Sequence, residues 1–148
     1  MKTKKMIIFI GMLIALTLLA AVLHLTTREE VPKQAVKVTT SEKETLLDIM
    51  SLDYATVTGI RVNGKGEEIP VEEIGISMKE VLEAMGITEY ATITVISDDS
   101  YSAKVSKEEV LEKDKVFLLL EDNTLRLIVF GDSNSKRSVS NVVQIQVE

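Results

Sequence analysis

The sequence predicts an α+β protein: a mixed β-sheet domain with a few short helices, preceded by one transmembrane helix. Three observations lead to this fold class. The run from Met6 to Leu25 is apolar and carries no charged residue. Two Ser-x-x-Glu pairs, Ser77 with Glu80 and Ser106 with Glu109, have the spacing of capping boxes that begin short helices. Runs of β-branched and apolar residues, separated by turn residues, fill most of the remaining chain and predict strands.

The apolar run has the length of a membrane anchor. Twenty residues of α-helix span about 30 Å, which matches the hydrocarbon core of a bilayer. Lys2, Lys4 and Lys5 precede the run, so the positive-inside rule places residues 1–5 in the cytoplasm and the rest of the chain outside the cell membrane. A cleaved signal peptide is the alternative, but its apolar core is usually about 7–15 residues long and an A-x-A site follows it.

Charge and composition exclude several classes of function. The chain has 23 acidic and 17 basic residues, and only three of the basic ones precede the apolar run, so the outer part carries a net charge of −9. Such a surface repels phosphate backbones, which makes nucleic acid an unsuitable partner. The chain has no cysteine, and its single histidine is His24. The outer part therefore lacks thiolate metal ligands, a cysteine nucleophile and an imidazole base.

The outer part begins with a predicted linker, residues 26–40, which is polar, mixed in charge and contains Pro32. A single domain of residues 41–148 follows. Its first element is predicted to be a short helix, because Ser41 and Glu44 have capping-box spacing and apolar residues come next. Asn63-Gly64 between Ala55–Val62 and the run Glu67 to Val71 predicts a β-hairpin.

The clearest predicted helix is Met78 to Met85. Met78, Val81, Leu82 and Met85 lie on one face, and Gly86 is placed to end the helix. Glu121-Asp122-Asn123 is predicted as a turn between two strands, 116–120 and 125–130. Both are nearly all apolar and are therefore predicted to be central and buried on both faces. The remaining predicted strands are 91–96, 101–105 and 139–147.

Three segments together resemble the molybdopterin-binding domain of the sulfite oxidase type of oxidoreductase. They are Ala55-Thr-Val-Thr-Gly59, the stretch GISMKEVLEAMGI at 75–87, and Leu125-Arg-Leu-Ile-Val-Phe-Gly131 with the ending that follows it. The second is similar to the family's G-V-x-L-K-D-V-L-E-x-A-G-I helix, and Ser97 to Tyr101 lies where the family often has a D-G-Y turn. The resemblance covers residues 55–148 and implies a pterin cofactor.

The chain departs from that family where the chemistry is done. In the family, a cysteine before the helix binds the metal, whereas Ile69 to Ile74 contains no cysteine. Phe130 replaces a proline, and Ser140 and Asn141 replace a lysine and a tryptophan. A soft metal therefore loses its one protein sulfur ligand.

The candidate cofactor-binding residues are Arg126, Gly131, Lys136, Arg137 and Ser138, which we predict to form an anion pocket for a pyrophosphate. The structural alternative is that Arg126 pairs with a carboxylate on a strand edge and that Lys136 and Arg137 are solvated. No catalytic residue and no metal ligand is predicted. The segment starting at Asp132 resembles a calcium loop, but Arg137 and Val143 occupy the positions that require Gly and Glu.

Three functions follow as hypotheses. The first is a membrane-anchored, extracytoplasmic binding or scaffolding module without redox activity. The second is a molybdopterin-dependent oxidoreductase, or a subunit of one, whose cofactor site is completed by a partner chain. The third is an envelope assembly or sensory protein that acts through its membrane helix. The predicted partners are the cell membrane, through residues 6–25, and a protein of the cell envelope. Nucleophilic catalysis by a serine with a lysine stays open, although no S-x-x-K motif supports it.

Overall fold

The computed structural model describes residues 2–27 and 34–148, and the chain divides into two compact units, residues 1–31 and 32–148. In the first unit, α1 is one continuous helix, Lys2–Thr27. The hydroxyl of Thr17 donates to the carbonyl of Ile14 at 2.9 Å, so this polar side chain bonds to the backbone of its own helix. Among the described residues, no helix is both long and apolar enough to cross a membrane. The membrane anchor therefore stays a prediction from the sequence.

The second unit is built from two β-sheets and confirms the predicted α+β class. One sheet has the strand order β2-β1-β9-β5-β6 and the other β3-β4-β7-β8. The β1–β9 pair is parallel and the other pairs are antiparallel. The elements are β1 Ala35–Thr39, β2 Glu44–Asp48, a 3₁₀ turn Ile49–Ser51, β3 Ala55–Val62, β4 Glu68–Ser77, α2 Met78–Ala84, β5 Thr92–Ser97, β6 Ser102–Ser106, α3 Lys107–Leu111, β7 Val116–Glu121, β8 Thr124–Val129 and β9 Val142–Val147.

The main hydrophobic core joins both sheets and α2. Met78, Val81 and Leu82 of α2 are buried in it, as the helical spacing predicts, and Met85 packs at its border. Full burial of such a side chain stabilises the fold by about 1.5–3 kcal/mol. The capping box is also confirmed, because the Ser77 hydroxyl accepts from the Glu80 N–H and the Glu80 carboxylate accepts from the Ser77 N–H. Gly86, at a φ of 71°, follows the helix end.

The predicted hairpin and turn are confirmed. Between β3 and β4, the Asn63 side-chain oxygen accepts from the N–H groups of Lys65 and Glu67, so the loop runs over five residues rather than two. Between β7 and β8, Asp122 and Asn123 both have positive φ, as a two-residue type I′ turn requires. The second capping box, Ser106 with Glu109, begins α3 as predicted.

The second half of the predicted linker is wrong, because residues 35–39 form β1. Val36 and Val38 are buried, and Val38 lies opposite Ile145 in the parallel pair with β9. Five residues in which two valines alternate with alanine, lysine and threonine are enough for a strand when a partner strand is present. By composition alone, so short a run beside Pro32 cannot be told from a linker.

The helix predicted from Ser41 and Glu44 is also wrong. The N–H of Thr40 donates to the carbonyl of Lys43 at 2.8 Å, which closes the turn between β1 and β2. Leu47 then lies opposite Val36 in an antiparallel pair and is buried. Pairing with β1 therefore overrides the local helix signal.

β7 is central in its sheet as predicted, but β8 lies at the edge. Four of its six residues are buried nevertheless, and the following segment returns along its outer edge. The N–H of Leu127 donates to the carbonyl of Val139 at 2.8 Å, and the N–H of Val139 donates back at 3.2 Å. An apolar strand sequence thus predicts that the strand is buried, but not whether it lies at the centre or at the edge of the sheet.

A second, smaller core fills the concave face of the four-stranded sheet. It contains Val57, Val71, Leu119, Ile128 and Phe130. The ring of Phe130, which follows β8, reaches Gly59 on β3, although these strands are the two edges of the sheet. The sheet therefore curls until its edges approach each other, and this curl forms the surroundings of the candidate site.

Candidate functional site

Arg137, a predicted cofactor-binding residue, is held by two carboxylates of its own chain. Its Nε donates to Asp132 Oδ2 at 2.8 Å, and a terminal nitrogen donates to Asp132 Oδ1. The other terminal nitrogen lies 2.8 Å from Glu109 Oε1. This forked pairing matches the planar guanidinium. Hydrogen bonding to Asp132 raises the pKa of Arg137, so the arginine stays charged and paired.

Glu109 belongs both to this ion cluster and to the cap of α3. Its carboxylate accepts from the Ser106 N–H at 3.1 Å and from Arg137 at 2.9 Å. Burial by itself raises the pKa of Glu109, but the Ser106 N–H and the Arg137 guanidinium together hold that pKa below its ordinary value. The cluster therefore connects α3 to the loop that follows β8.

Arg126, the second predicted cation, is paired across the β7–β8 hairpin. Its Nε lies 2.8 Å from both carboxylate oxygens of Glu121. One of its terminal nitrogens lies 3.4 Å from the hydroxyl of Ser138, another predicted site residue. The structural alternative for Arg126, pairing with a carboxylate on a strand edge, is therefore confirmed.

Lys136 and Gly131 complete the predicted set. Lys136 is exposed, its N–H donates to Asn134, and its carbonyl accepts from the Tyr101 hydroxyl. Its ammonium group makes no ion pair with any residue of 2–27 or 34–148. Gly131 has a φ of 87° and turns the chain away from β8. The structure thus brings the predicted residues into one region, and of the three predicted cations only Lys136 has no ion pair with a described residue.

The cleft in this region is nearly filled. It is lined by residues that include Arg61, Asp132, Arg137 and Ser138, and its volume is about 10 Å³. That is room for about one water molecule, whereas sites for small organic ligands measure about 300–1,000 Å³. The chain also has no cysteine to ligate a metal. The residues present therefore do not fit a molybdopterin, and binding of an anion here stays a prediction that the geometry argues against.

The partners Asp132, Glu109 and Glu121 are what the sequence reasoning missed. The pairing of Glu121 with Arg126 could have been predicted from the sequence. A two-residue turn after Glu121 places Arg126 diagonally opposite it on the same face of the hairpin. The pairing of Glu109 with Arg137 could not have been predicted in this way, because 28 residues separate the two in the chain. Among the described residues, no group of three or more His, Cys, Asp or Glu side chains could hold a metal ion.

A cleft of about 490 Å³ between α2 and α3 is the other polar concavity of note. Its lysines are balanced by neighbouring carboxylates: Lys115 lies 2.7 Å from Glu112, and Lys79 lies 3.7 Å from Glu83. Because the charges cancel locally, the cleft favours neither an anion nor a cation.

Comparison with models of known protein families and with curated proteins finds no match to this chain. The resemblance to the molybdopterin-binding domain stays a prediction from the sequence.

Proposed function

We propose that this protein is a membrane-anchored, extracytoplasmic binding or scaffolding module without redox activity. The observation that carries the proposal is the internal pairing of Arg137 with Asp132 and Glu109. These atoms lie where the resemblance would place the anionic part of a cofactor. In this chain they hold the fold together instead.

Charge balance gives the physical reason. A phosphate group at Arg137 would have to displace two carboxylates, which would then face each other and the incoming anion. Like charges at such distances repel, and the arginine side chain is only 29% exposed, so solvent screens the repulsion incompletely. The cleft would also have to open far beyond its volume of about 10 Å³.

We base the membrane anchor on the sequence of the first unit. Its helix, Lys2–Thr27, includes the whole run from Met6 to Leu25, which has no charged residue, and large apolar side chains such as Met12, Leu16 and Leu18 are exposed on it. Exposed apolar side chains in such number favour an apolar surrounding. The lysines at positions 2, 4 and 5 favour a cytoplasmic N-terminus.

Metal and pterin content tests the proposal. The full-length protein would be purified in detergent from a host that is supplied with molybdenum and makes molybdopterin. A sulfite oxidase-type enzyme from the same host would serve as the positive control. We expect molybdenum and pterin at background level in this protein and near one per chain in the control.

Near-stoichiometric molybdenum and pterin would overturn the proposal. The alternative function, a molybdopterin-dependent oxidoreductase or its subunit, would then stand. Purification with a partner chain would show whether the partner completes the site.

A further inference from the structure

The free edge of the five-stranded sheet is the starting point. β2 is the first strand in the order β2-β1-β9-β5-β6, and among the described residues no strand pairs with its outer side. The outward N–H and C=O groups of an edge strand are a template for an added strand. β2 itself spans five residues, about 17 Å.

An apolar groove of about 370 Å³ lies directly beside this edge. One wall is β2, with Leu46 and Leu47. The other is Ala84, the last residue of α2, together with Met85 and Ile87, which follow the helix. Leu46 is 45% exposed, which leaves apolar surface uncovered at the edge. The volume falls within the range of natural ligand sites.

Edge and groove together match a known way of recognising peptides. In strand addition beside a helix, the sheet edge binds the peptide backbone, and a groove accepts every second side chain. Thr45 and Leu47 face the core side of the sheet, opposite Val38 and Val36. Side chains of an added strand on that same side would enter the groove. Leu46 faces the other side, opposite Lys37, where it would pack against the remaining side chains of the added strand.

The charged residues at the two ends of β2 indicate which charges a partner segment should have at its own ends. Lys43, before β2, is exposed, and its ammonium group makes no ion pair with any described residue, whereas Glu44 is already paired with Lys37 at 3.1 Å. Asp48 ends the strand, and one of its oxygens accepts the Met50 N–H at 2.9 Å. An antiparallel strand, the slightly more stable pairing, would run from Asp48 toward Lys43.

We propose that this edge and groove bind an extended segment of a partner protein, which adds to β2 as an antiparallel strand. The segment has apolar side chains at alternate positions, a basic residue toward its N-terminal end and a carboxylate toward its C-terminal end. The inference rests on the proposed function, because it names the kind of partner that the binding module takes.

A selection from displayed random twelve-residue peptides tests the inference. The target is the full-length protein in lipid nanodiscs, with Leu46→Glu as the comparison. Ile60→Glu is the matched control, because Ile60 is an exposed isoleucine, 57% accessible, on the edge strand of the other sheet. We expect wild type and Ile60→Glu to select the same alternating peptides, basic at the start and acidic at the end, and Leu46→Glu to select none.

A synthesised peptide from that selection gives the second measurement. Leu46→Glu should weaken its binding at least about tenfold, and Lys43→Gln roughly threefold with reduced salt dependence. Methylation of alternate peptide nitrogens should abolish binding in one register and leave it unchanged in the other, since only alternate N–H groups face β2. The amide hydrogens of residues 44–48 that point away from β1 should exchange more slowly in the complex.

Three results would overturn the inference. The first is that wild type and Leu46→Glu select the same peptides. The second is that Ile60→Glu weakens binding as much as Leu46→Glu. The third is that the wild type is a dimer that Leu46→Glu dissociates, because a second copy of the chain would then occupy the edge and groove. None of these results changes the cofactor content, whereas stoichiometric molybdopterin overturns the proposed function whether or not peptides bind.

Discussion

The ring of Phe130 lies against the Cα of Gly59, from the opposite edge of the same curled sheet. A Cβ added at Gly59 would lie 2.5 Å from Phe130 Cε1 and 2.6 Å from its Cζ. The ring is 9% exposed and packs edge-on against Phe117, with ring centroids 5.7 Å apart. Phe130 precedes Gly131 of the candidate site, so this contact places a bulky ring next to it.

Gly59→Ala should therefore destabilise the protein through overpacking, by about 1–3 kcal/mol. Gly64→Ala is the control, because its nearest neighbour would be Ser135 Oγ at 3.8 Å, and its effect should stay within about 0.5 kcal/mol. Urea unfolding of the full-length protein measures both. In a Phe130→Leu background, Gly59→Ala should lower the free energy of unfolding by less. An equal loss in the two backgrounds would show that the Phe130 ring does not restrict the space at Gly59.

Removal of the Arg137 guanidinium should destabilise the fold. Arg137→Gln leaves Asp132 and Glu109 without their cation, and the expected loss is about 1–3 kcal/mol. Arg137→Lys should lose less, because it keeps the charge but not the forked geometry. Arg61→Gln is the matched control, since Arg61 makes no ion pair with any residue in the described part of the chain. Equal unfolding midpoints for Arg137→Gln and Arg61→Gln would mean that the cluster adds no stability.

The Glu109 carboxylate should make stability depend on pH at the acidic end. Its pKa in the folded protein lies below the ordinary value. Its contribution is therefore fully present above about pH 4.3, the usual pKa of a free glutamate. It is lost as the pH falls through the lower pKa of the folded state.

Glu109→Gln isolates this contribution, because glutamine can still occupy position N3 of the capping box. The stability difference between wild type and Glu109→Gln should shrink as the pH falls below about 4.3. Urea unfolding at several pH values measures it. A difference that stays constant from pH 7 to pH 3 would rule out a charge effect at this residue.

The absence of cysteine makes the predicted membrane topology directly testable. A membrane-impermeant maleimide should label Ser133→Cys, an exposed position, on cells whose outer barriers have been opened but whose cell membrane is intact. Thr3→Cys should be labelled only after lysis, and the wild type not at all. Labelling of Thr3→Cys in intact cells, or protection of Ser133→Cys, would contradict the orientation.

The sequence predicts best where local signals and the final environment agree. Ser77, Glu80 and the stripe that starts at Met78 all favour a helix, and α2 forms there. Asn63, Asp122 and Asn123 supply turn chemistry that needs no distant partner, so both hairpins were predictable.

The misses depend on contacts between distant parts of the chain. Residues 35–39 become β1 only because β9, more than 100 residues later, is available to pair with them. The pairing of Arg137 shows the same limit: its partner Glu109 lies on α3, 28 residues earlier in the chain, and no local pattern encodes that contact. The sequence showed the cations that an anion site would need, but it did not show that carboxylates of the same chain pair with Arg126 and Arg137.

Unfolding with and without access to the cofactor tests the central claim most directly. The full-length protein would be purified from a host that cannot make molybdopterin and from one that makes it in excess. We predict one cooperative transition with the same midpoint in both preparations, because the fold is complete without the group. A cofactor bound at 100 times its dissociation constant would add about 2.7 kcal/mol. A higher midpoint, or a cooperative transition, found only in the preparation from the cofactor-producing host would contradict the account.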